Sequence, residues 1–150
     1  MITLDTNLLV YAFDQRYPRK QAVATLVFNQ MSLANSYIGL QVVGELQNVL
    51  RRKLGRSPRE AAQAARGVKT AFKNTFGPTS KAVDDALAEL EAGRLSYWDA
   101  LLLGAARDAG CDTMLSEDMQ DGARLLSMHV VNPFDTNGGL SEGARRLLAM

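Results

Sequence analysis

The sequence predicts an α/β fold in which a parallel sheet is covered on both faces by helices. Short apolar runs alternate with segments whose apolar residues recur at helical spacing, and this alternation is typical of a buried parallel sheet. The chain has 150 residues, a length that suits one domain. It contains no repeat, low-complexity segment or linker, so we expect a single hydrophobic core.

Short apolar runs predict the strands. The first, residues 1–4, stops at Asp5-Thr6-Asn7, a triplet typical of the turn that opens a helix. The other predicted strands are residues 36–39, 113–116 and 129–131, and residues 76–80 are either a weak strand or a loop.

Helical periodicity and end signals predict the helices. Ser57-Pro58-Arg59-Glu60 combines a cap, a proline in the first turn and an acid at the third position, which together predict a helix start. Gly93 and Gly110 are expected helix ends. Trp98 falls on the apolar stripe of its helix, so we expect it to pack in the core. The predicted helices are residues 8–13, 18–31, 40–54, 58–72, 81–91, 96–109 and 117–126, with a terminal helix or a frayed end at 141–149.

The composition excludes several classes of protein. Apolar residues make up 47% and charged residues 22% of the chain, which excludes wholesale disorder. The single cysteine, Cys111, excludes an intramolecular disulfide framework and a cysteine-rich zinc site. The single histidine, His129, excludes sites that need several histidines. We expect both residues to be structural.

The charge is unevenly distributed. The net charge is +1, but residues 51–81 hold nine bases and one acid, which gives that segment +8 and the rest of the chain −7. This pattern predicts either a solvated helix face or a surface that contacts the phosphates of a polyanion. The nine bases are Arg51, Arg52, Lys53, Arg56, Arg59, Arg66, Lys69, Lys73 and Lys81.

The sequence has no membrane signal. MITLDTNLL has no basic leader, and residues 21–44, although uncharged, are interrupted by Asn29, Gln30 and Ser32. They therefore fall short of the roughly 18 consecutive apolar residues of a membrane span. These features predict a cytoplasmic protein.

Acidic residues fall where ligands bind in an α/β fold. Asp5 directly follows the first strand, and Asp118 and Asp121 follow a later one. Asp99 lies in the first turn of its helix, and Glu45 flanks the buried stripe of another. Because ligands bind beyond the carboxyl ends of parallel strands, these acids are candidates for one site. Each also has a purely structural interpretation as a helix cap, a first-turn acid or a solvated side chain.

Carboxylates gathered in one site need compensation. Like charges about 4 Å apart repel by roughly 4 kcal/mol per pair at an effective dielectric constant of about 20, so protons or a metal ion must offset them. An all-oxygen set suits Mg²⁺ or Mn²⁺ and disfavours zinc. Such a site suits hydrolysis of phosphodiester bonds by a metal-activated water.

Four motifs resemble those of the PIN-domain ribonucleases in order and spacing. They are Leu4-Asp5-Thr6-Asn7, Val43-Gly44-Glu45-Leu46, Ser96-Tyr97-Trp98-Asp99-Ala100 and Leu115-Ser116-Glu117-Asp118-Met119. With the chain length, they are most similar to the toxins of VapBC-type bacterial toxin–antitoxin pairs. The resemblance covers residues 1–134 and leaves 135–150 as a C-terminal extension of unknown role. It implies a three-layer α/β/α fold with a central parallel sheet of four to five strands.

The resemblance also implies a divalent metal site and partners. Family members usually form homodimers, and a cognate antitoxin holds them inactive by laying a segment across the active-site groove. The acidic quartet is matched by Asp5, Glu45, Asp99 and Asp118, an additional metal-binding acid by Asp121, and the supporting polar residues by Thr6, Asn7 and Ser116.

The leading hypothesis is a toxin that hydrolyses RNA with Mg²⁺ or Mn²⁺, and the alternative is a catalytically silent PIN-like domain that binds RNA or a partner. A haloacid dehalogenase-type phosphatase is disfavoured, since Asn7 stands where that chemistry needs a second Asp and no lysine follows Lys81. Tyr97 and Trp98 are candidates for stacking on RNA bases. The sequence leaves open the RNA target, the number of metal ions, the antitoxin and whether residues 51–81 contact RNA.

Overall fold

The computed structural model describes residues 1–150, in which strands and helices alternate as predicted. The strands are β1 (Ile2–Leu4), β2 (Tyr37–Gly39), β3 (Asn74–Phe76), β4 (Thr113–Leu115), β5 (Arg124–Leu125) and β6 (Met128–Val131). The helices are α1 (Thr6–Ala12), α2 (Pro18–Leu33), α3 (Leu40–Arg52), α4 (Pro58–Ala71), α5 (Ser80–Ala92), α6 (Tyr97–Asp108) and α7 (Glu142–Leu147).

The strands form a mostly parallel sheet that is flanked by helices, which confirms the predicted fold class. The main sheet has the order β1-β4-β6-β5, and only β5 runs antiparallel to its neighbour. Strands β2 and β3 form a parallel pair. The hydroxyl of Thr3 in β1 donates to the carbonyl oxygen of Tyr37 in β2 at 3.0 Å, so this pair lies beside β1.

The register of β1 and β4 places the ends of both strands side by side. Leu4 pairs with Leu115, and the backbone N–H of Asp5 donates to the carbonyl oxygen of Leu115 at 2.9 Å. Asp5 and Ser116, each the first residue after its strand, are therefore neighbours at the carboxyl edge of the sheet. This is the edge at which ligands bind in open α/β sheets.

Helix α4 begins at the predicted capping box. The Ser57 hydroxyl accepts from the Glu60 N–H at 3.1 Å, and the Glu60 carboxylate accepts from the Ser57 N–H at 3.4 Å. Ser57→Ala removes the first of these bonds, so we expect it to lower the free energy of unfolding by about 1 kcal/mol, the usual value of an N-cap. Urea unfolding measures the loss, and Ser57→Asp, which keeps an acceptor, is the control. Equal stability of the Ala and Asp variants would contradict this role.

The predicted helix at 117–126 is wrong. Those residues form turns and the short strand β5, which pairs with β6 through Leu125 and Met128. The two residues between them, Leu126 and Ser127, both have positive φ, 49° and 68°. Two left-handed residues are what a two-residue hairpin needs. The usual signal for this turn is Asn-Gly or Asp-Gly, which this sequence does not carry here.

The predicted core position of Trp98 is also wrong. Its side chain is 62% exposed, whereas Leu101, Leu102 and Ala105 on the same stripe are buried. Trp98 is the second residue of α6, where the helix has only begun to pack on its neighbours. Of the two residues expected to be structural, Cys111 is buried, whereas His129 is exposed on β6.

Residues 135–150 pack on the rest of the domain. Ala144 of α7 is fully buried in the core cluster, together with Phe134 just before this segment. The Ser141 hydroxyl caps α7 by accepting from the Ala144 N–H, and it donates to the carbonyl oxygen of Asn132 at 2.6 Å. The division of the chain at residue 134 stays a prediction. None of the helices combines the length and apolar character needed to cross a membrane.

Candidate active site

Asp5 is at the centre of the carboxyl edge of the sheet. It is the N-cap residue of α1, and one carboxylate oxygen accepts from the Thr6 N–H at 2.6 Å. The other oxygen accepts from the Ser116 hydroxyl at 3.1 Å. Only 8% of Asp5 is exposed. The capping interpretation of Asp5 is therefore correct, and it is compatible with membership of a site.

Glu45 reaches the same edge from α3. The Thr6 hydroxyl donates to Glu45 Oε2 at 2.5 Å, and the Gln41 amide donates to Glu45 Oε1 at 2.8 Å. Helix α3 begins directly after β2, with Gly39 as its N-cap residue. Thr6 therefore connects two acids, because its N–H binds Asp5 and its hydroxyl binds Glu45.

Asp118 and Asp99 complete the group. The Asn7 amide donates to Asp118 Oδ2. Asp99 is in the first turn of α6, where its N–H donates to the Ser96 hydroxyl at 3.2 Å. The charges of Asp99 and Asp118 both act on Asp5, and those of Asp118 and Glu45 act on Asp99. The four predicted acids thus lie within range of one another's charges at this edge of the sheet, and Thr6, Asn7 and Ser116 bind three of them. We call Asp5, Glu45, Asp99 and Asp118 the acidic cluster.

Burial and mutual repulsion raise the pKa values of two carboxyl groups in the cluster. Burial raises the pKa of Asp5 to about 6. Repulsion by Asp99 and Asp118 adds to this increase, whereas the hydrogen bonds from Thr6 and Ser116 oppose it. Burial likewise raises the pKa of Asp99, with added repulsion from Asp118 and Glu45. Carboxyl groups with perturbed pKa values cluster at functional sites.

The donor set fits a hard divalent cation. No lysine, arginine or histidine lies within 4.0 Å of any cluster carboxylate, although eight other acids form ion pairs. The cluster is open, because no three acidic, histidine or cysteine side chains stand close enough to share one ion. Mg²⁺ usually keeps several waters and binds through one or two carboxylates, so an open all-oxygen cluster suits it.

Asp121 makes a different contact from the four cluster acids. It is exposed, and its carboxylate accepts from the Asn132 N–H at 2.8 Å. It makes no hydrogen bond to the side chains that hold the four other acids. Its assignment as a metal ligand stays a prediction, and its visible role is to hold the end of β6.

The basic segment 51–81 is exposed at all nine of its basic residues. Only Arg56 and Lys81 have an ion-pair partner, at 3.7 Å from Glu60 and 2.7 Å from Asp85 respectively. The other seven charges are free to contact phosphates or solvent. Whether they contact RNA stays a prediction.

Sequence reasoning missed two polar residues near the cluster. The Gln41 amide bridges Glu45 and the carbonyl oxygen of Trp98, at 2.8 and 3.2 Å. The spacing of four residues between Gln41 and Glu45 was an available signal, since it places both on one helix face. Lys20 binds Glu117, the neighbour of Asp118, and the Tyr11 hydroxyl. No local signal points to Lys20, because its partners are distant in sequence.

The fold and the site define an α/β protein with an acidic cluster at the carboxyl ends of its parallel strands. The model of the PIN domain family matches residues 2–120, so the chain belongs to the PIN domain family. No curated protein is significantly similar to the chain in sequence.

Three solved structures with the same fold are a toxin and two toxin–antitoxin complexes. A toxin–antitoxin complex from Klebsiella pneumoniae aligns with a TM-score of 0.61 and 20% identity, over 90% of this chain and 99% of that one. The DNA-bound VapBC of Salmonella typhimurium aligns with a TM-score of 0.61 and 14% identity, over 86% and 95%. Mycobacterium tuberculosis VapC20, a toxin that cleaves the sarcin-ricin loop, aligns with a TM-score of 0.58 and 19% identity, over 79% and 90%. At these identities the likeness concerns the fold.

Proposed function

We propose that the protein is an endoribonuclease that requires Mg²⁺ or Mn²⁺ and acts as the toxin of a toxin–antitoxin pair. The observation that carries the proposal is the acidic cluster. Four carboxylates from distant parts of the chain meet at one edge of the sheet, and no basic side chain neutralises them. Membership of the PIN domain family and the toxin nature of structurally similar proteins support the same function.

The chain's own residues prepare the site for a metal and a phosphate. Thr6 and Ser116 fix both oxygens of Asp5, Thr6 and Gln41 fix Glu45, and Asn7 fixes Asp118. These hydrogen bonds hold the ligands before binding, which reduces the cost of ordering them. A divalent ion bound here supplies an activated water and stabilises negative charge on the phosphate. One or two of Asp5, Glu45, Asp99 and Asp118 would hold it directly, since Mg²⁺ keeps several of its waters in proteins.

The proposal includes partners. The substrate is RNA, and the seven basic residues of segment 51–81 that have no ion-pair partner offer sequence-independent contacts to its phosphates. The toxin–antitoxin assemblies among the structural neighbours favour a cognate antitoxin as the protein partner. We include a homodimer and a cytoplasmic location in the same proposal.

The experiment that tests the function is RNA cleavage by the purified full-length chain. We expect cleavage of single-stranded RNA in Mg²⁺ or Mn²⁺, none in EDTA, and recovery when the metal is restored. Isothermal titration calorimetry with Mn²⁺ measures the binding of the ion in the absence of RNA. Failure to cleave in any divalent ion, with the fold intact by circular dichroism, would overturn the proposed activity.

A catalytically silent domain that binds RNA or a partner remains the second candidate. The observation that favours it is the openness of the cluster, in which no three carboxylates stand close enough to share an ion. RNA binding without cleavage in Mg²⁺ or Mn²⁺, together with no heat of Mn²⁺ binding, would establish this alternative.

A further inference from the structure

The acidic cluster does not explain why the indole of Trp98 is exposed. Trp98 is the only tryptophan of the chain, and 62% of it is exposed. Its ring contacts Tyr97 edge to face, with centroids 5.0 Å apart and planes at 76°. Exposing this much aromatic surface forgoes the stabilisation that its burial would supply, which points to a ligand.

A groove beside Trp98 leads to the acidic cluster. It lies between α3 and the start of α6 and has a volume of about 460 Å³, within the roughly 300–1,000 Å³ range of ligand pockets. Glu45, a cluster member, forms part of its wall. The Gln41 amide donates to both Glu45 and the Trp98 carbonyl oxygen, so the two sides of the groove are held together. The lining residues are Gln41, Gly44, Glu45, Gln47, Asn48 and Trp98.

Gly44 keeps the groove open at a cost in helix stability. It lies in the interior of α3, where glycine is destabilising relative to alanine. A Cβ atom at this position would meet no atom within 4 Å, so packing within the domain does not require glycine. Gly44 is exposed and faces the groove, and the missing side chain leaves the groove wider.

The chemistry of the groove suits a nucleobase. Trp98 offers an aromatic plane, and Gln47 and Asn48 offer amides that both donate and accept hydrogen bonds. Unpaired RNA bases are recognised by stacking and by hydrogen bonds to their edges. The groove contains no lysine or arginine for a phosphate and no aliphatic side chain for an apolar peptide anchor. A base is therefore favoured over a phosphate or a protein segment.

We propose that this groove binds one unpaired nucleobase of the RNA next to the cleaved phosphate. Trp98 stacks on the base, and the amides of Gln47 and Asn48 contact its edge. The proposal rests on the proposed ribonuclease function and gives it a specificity-determining site. Trp98 is a positioning residue here, since it contacts a base and not the reacting atoms.

The single tryptophan provides the test. In EDTA, short single-stranded oligoribonucleotides of each base are titrated while Trp98 fluorescence is recorded, and an abasic oligonucleotide of equal length is the control for phosphate binding. We expect quenching by base-bearing RNA and none by the abasic chain. Binding of labelled RNA, followed by anisotropy, is expected to weaken roughly 10- to 100-fold in Trp98→Ala and to recover largely in Trp98→Phe. Gly44→Leu fills the groove and should weaken binding without loss of thermal stability.

The outcomes separate this proposal from the ribonuclease function. Cleavage that persists while Trp98→Ala and Gly44→Leu bind RNA like the wild type overturns the base site alone. Base-dependent quenching without cleavage in any divalent ion supports the base site and overturns the nuclease. A Trp98 signal that responds only to protein concentration identifies this face as an interface between copies of the chain and overturns the proposal.

Discussion

Replacing Asp5 by Asn is expected to stabilise the metal-free protein and to abolish RNA cleavage. Asp5 is 8% exposed, and burial raises its pKa to about 6 from the ordinary 3.8. Asn has nearly the same shape and accepts the Thr6 hydrogen bond without carrying a charge. The substitution therefore removes the cost of a buried carboxylate together with one of the metal ligands that we propose.

The sign and size of the stability effect follow from proton linkage. The folded state binds the Asp5 proton more tightly than the unfolded state, so the stability of the wild type falls as pH rises from about 4 to about 6. A difference of about two pKa units corresponds to about 3 kcal/mol. We expect the free energy of unfolding of Asp5→Asn to exceed that of the wild type by up to about 3 kcal/mol near pH 7 and to match it near pH 4.

Urea unfolding in EDTA across this pH range measures the effect. Asp121→Asn, at an exposed aspartate whose hydrogen bond an amide oxygen retains, is the control and should stay within about 0.5 kcal/mol of the wild type. Added Mg²⁺ should stabilise the wild type and leave Asp5→Asn unchanged. If the free energies of unfolding of the wild type and Asp5→Asn depend on pH in the same way, burial does not raise the pKa of Asp5. If Asp5→Asn still cleaves RNA, Asp5 does not belong to the site.

Substitutions at Asp118 and at Asp121 are expected to have very different effects on the rate of RNA cleavage. Both follow β4, but Asn7 binds Asp118, whereas Asp121 binds the N–H of Asn132, the residue after β6. We expect Asp118→Asn to lower the rate of RNA cleavage by roughly 100-fold or more, since changes beside a metal site alone cost about 10- to 100-fold. Asp121→Asn should change the rate by less than about threefold.

Single-turnover cleavage with saturating Mg²⁺ compares the two variants. Each keeps an oxygen that accepts the native hydrogen bond, so both should fold, and circular dichroism checks this. If both variants lose cleavage activity equally, Asp121 belongs to the site as a fifth acid. If both retain the wild-type cleavage rate, Asp118 does not belong to the site.

The elements with local signals were predictable. The capping box at Ser57 and Glu60, the helix end at Gly93 in the left-handed region and the strand that stops at Asp5 all depend on residues close in sequence. The hairpin at Leu126 and Ser127 was missed because neither residue type favours positive φ. The pairing of β5 with β6, in which Met128 is fully buried, holds that turn.

The position of Trp98 shows a second limit of the sequence. Its spacing from Leu101, Leu102 and Ala105 is that of a buried stripe, yet only these three are buried. Periodicity identifies the face of a helix, but it does not say how far along that face the neighbouring elements extend. At the first turn of α6 the neighbouring elements leave most of the indole uncovered, and it therefore lines a groove.

The sequence by itself determined the α/β alternation, the helix boundaries with caps and the identity of the acids that follow strands. Those features depend on side chains within a few residues of one another. Only the tertiary structure decided that Ser116 binds Asp5 across 111 residues of sequence, that Asp121 binds the Asn132 N–H and that Asp5 is buried. Strand register and packing bring distant residues together, and burial then sets the pKa of Asp5, so the electrostatics of the site arise from contacts that no local pattern encodes.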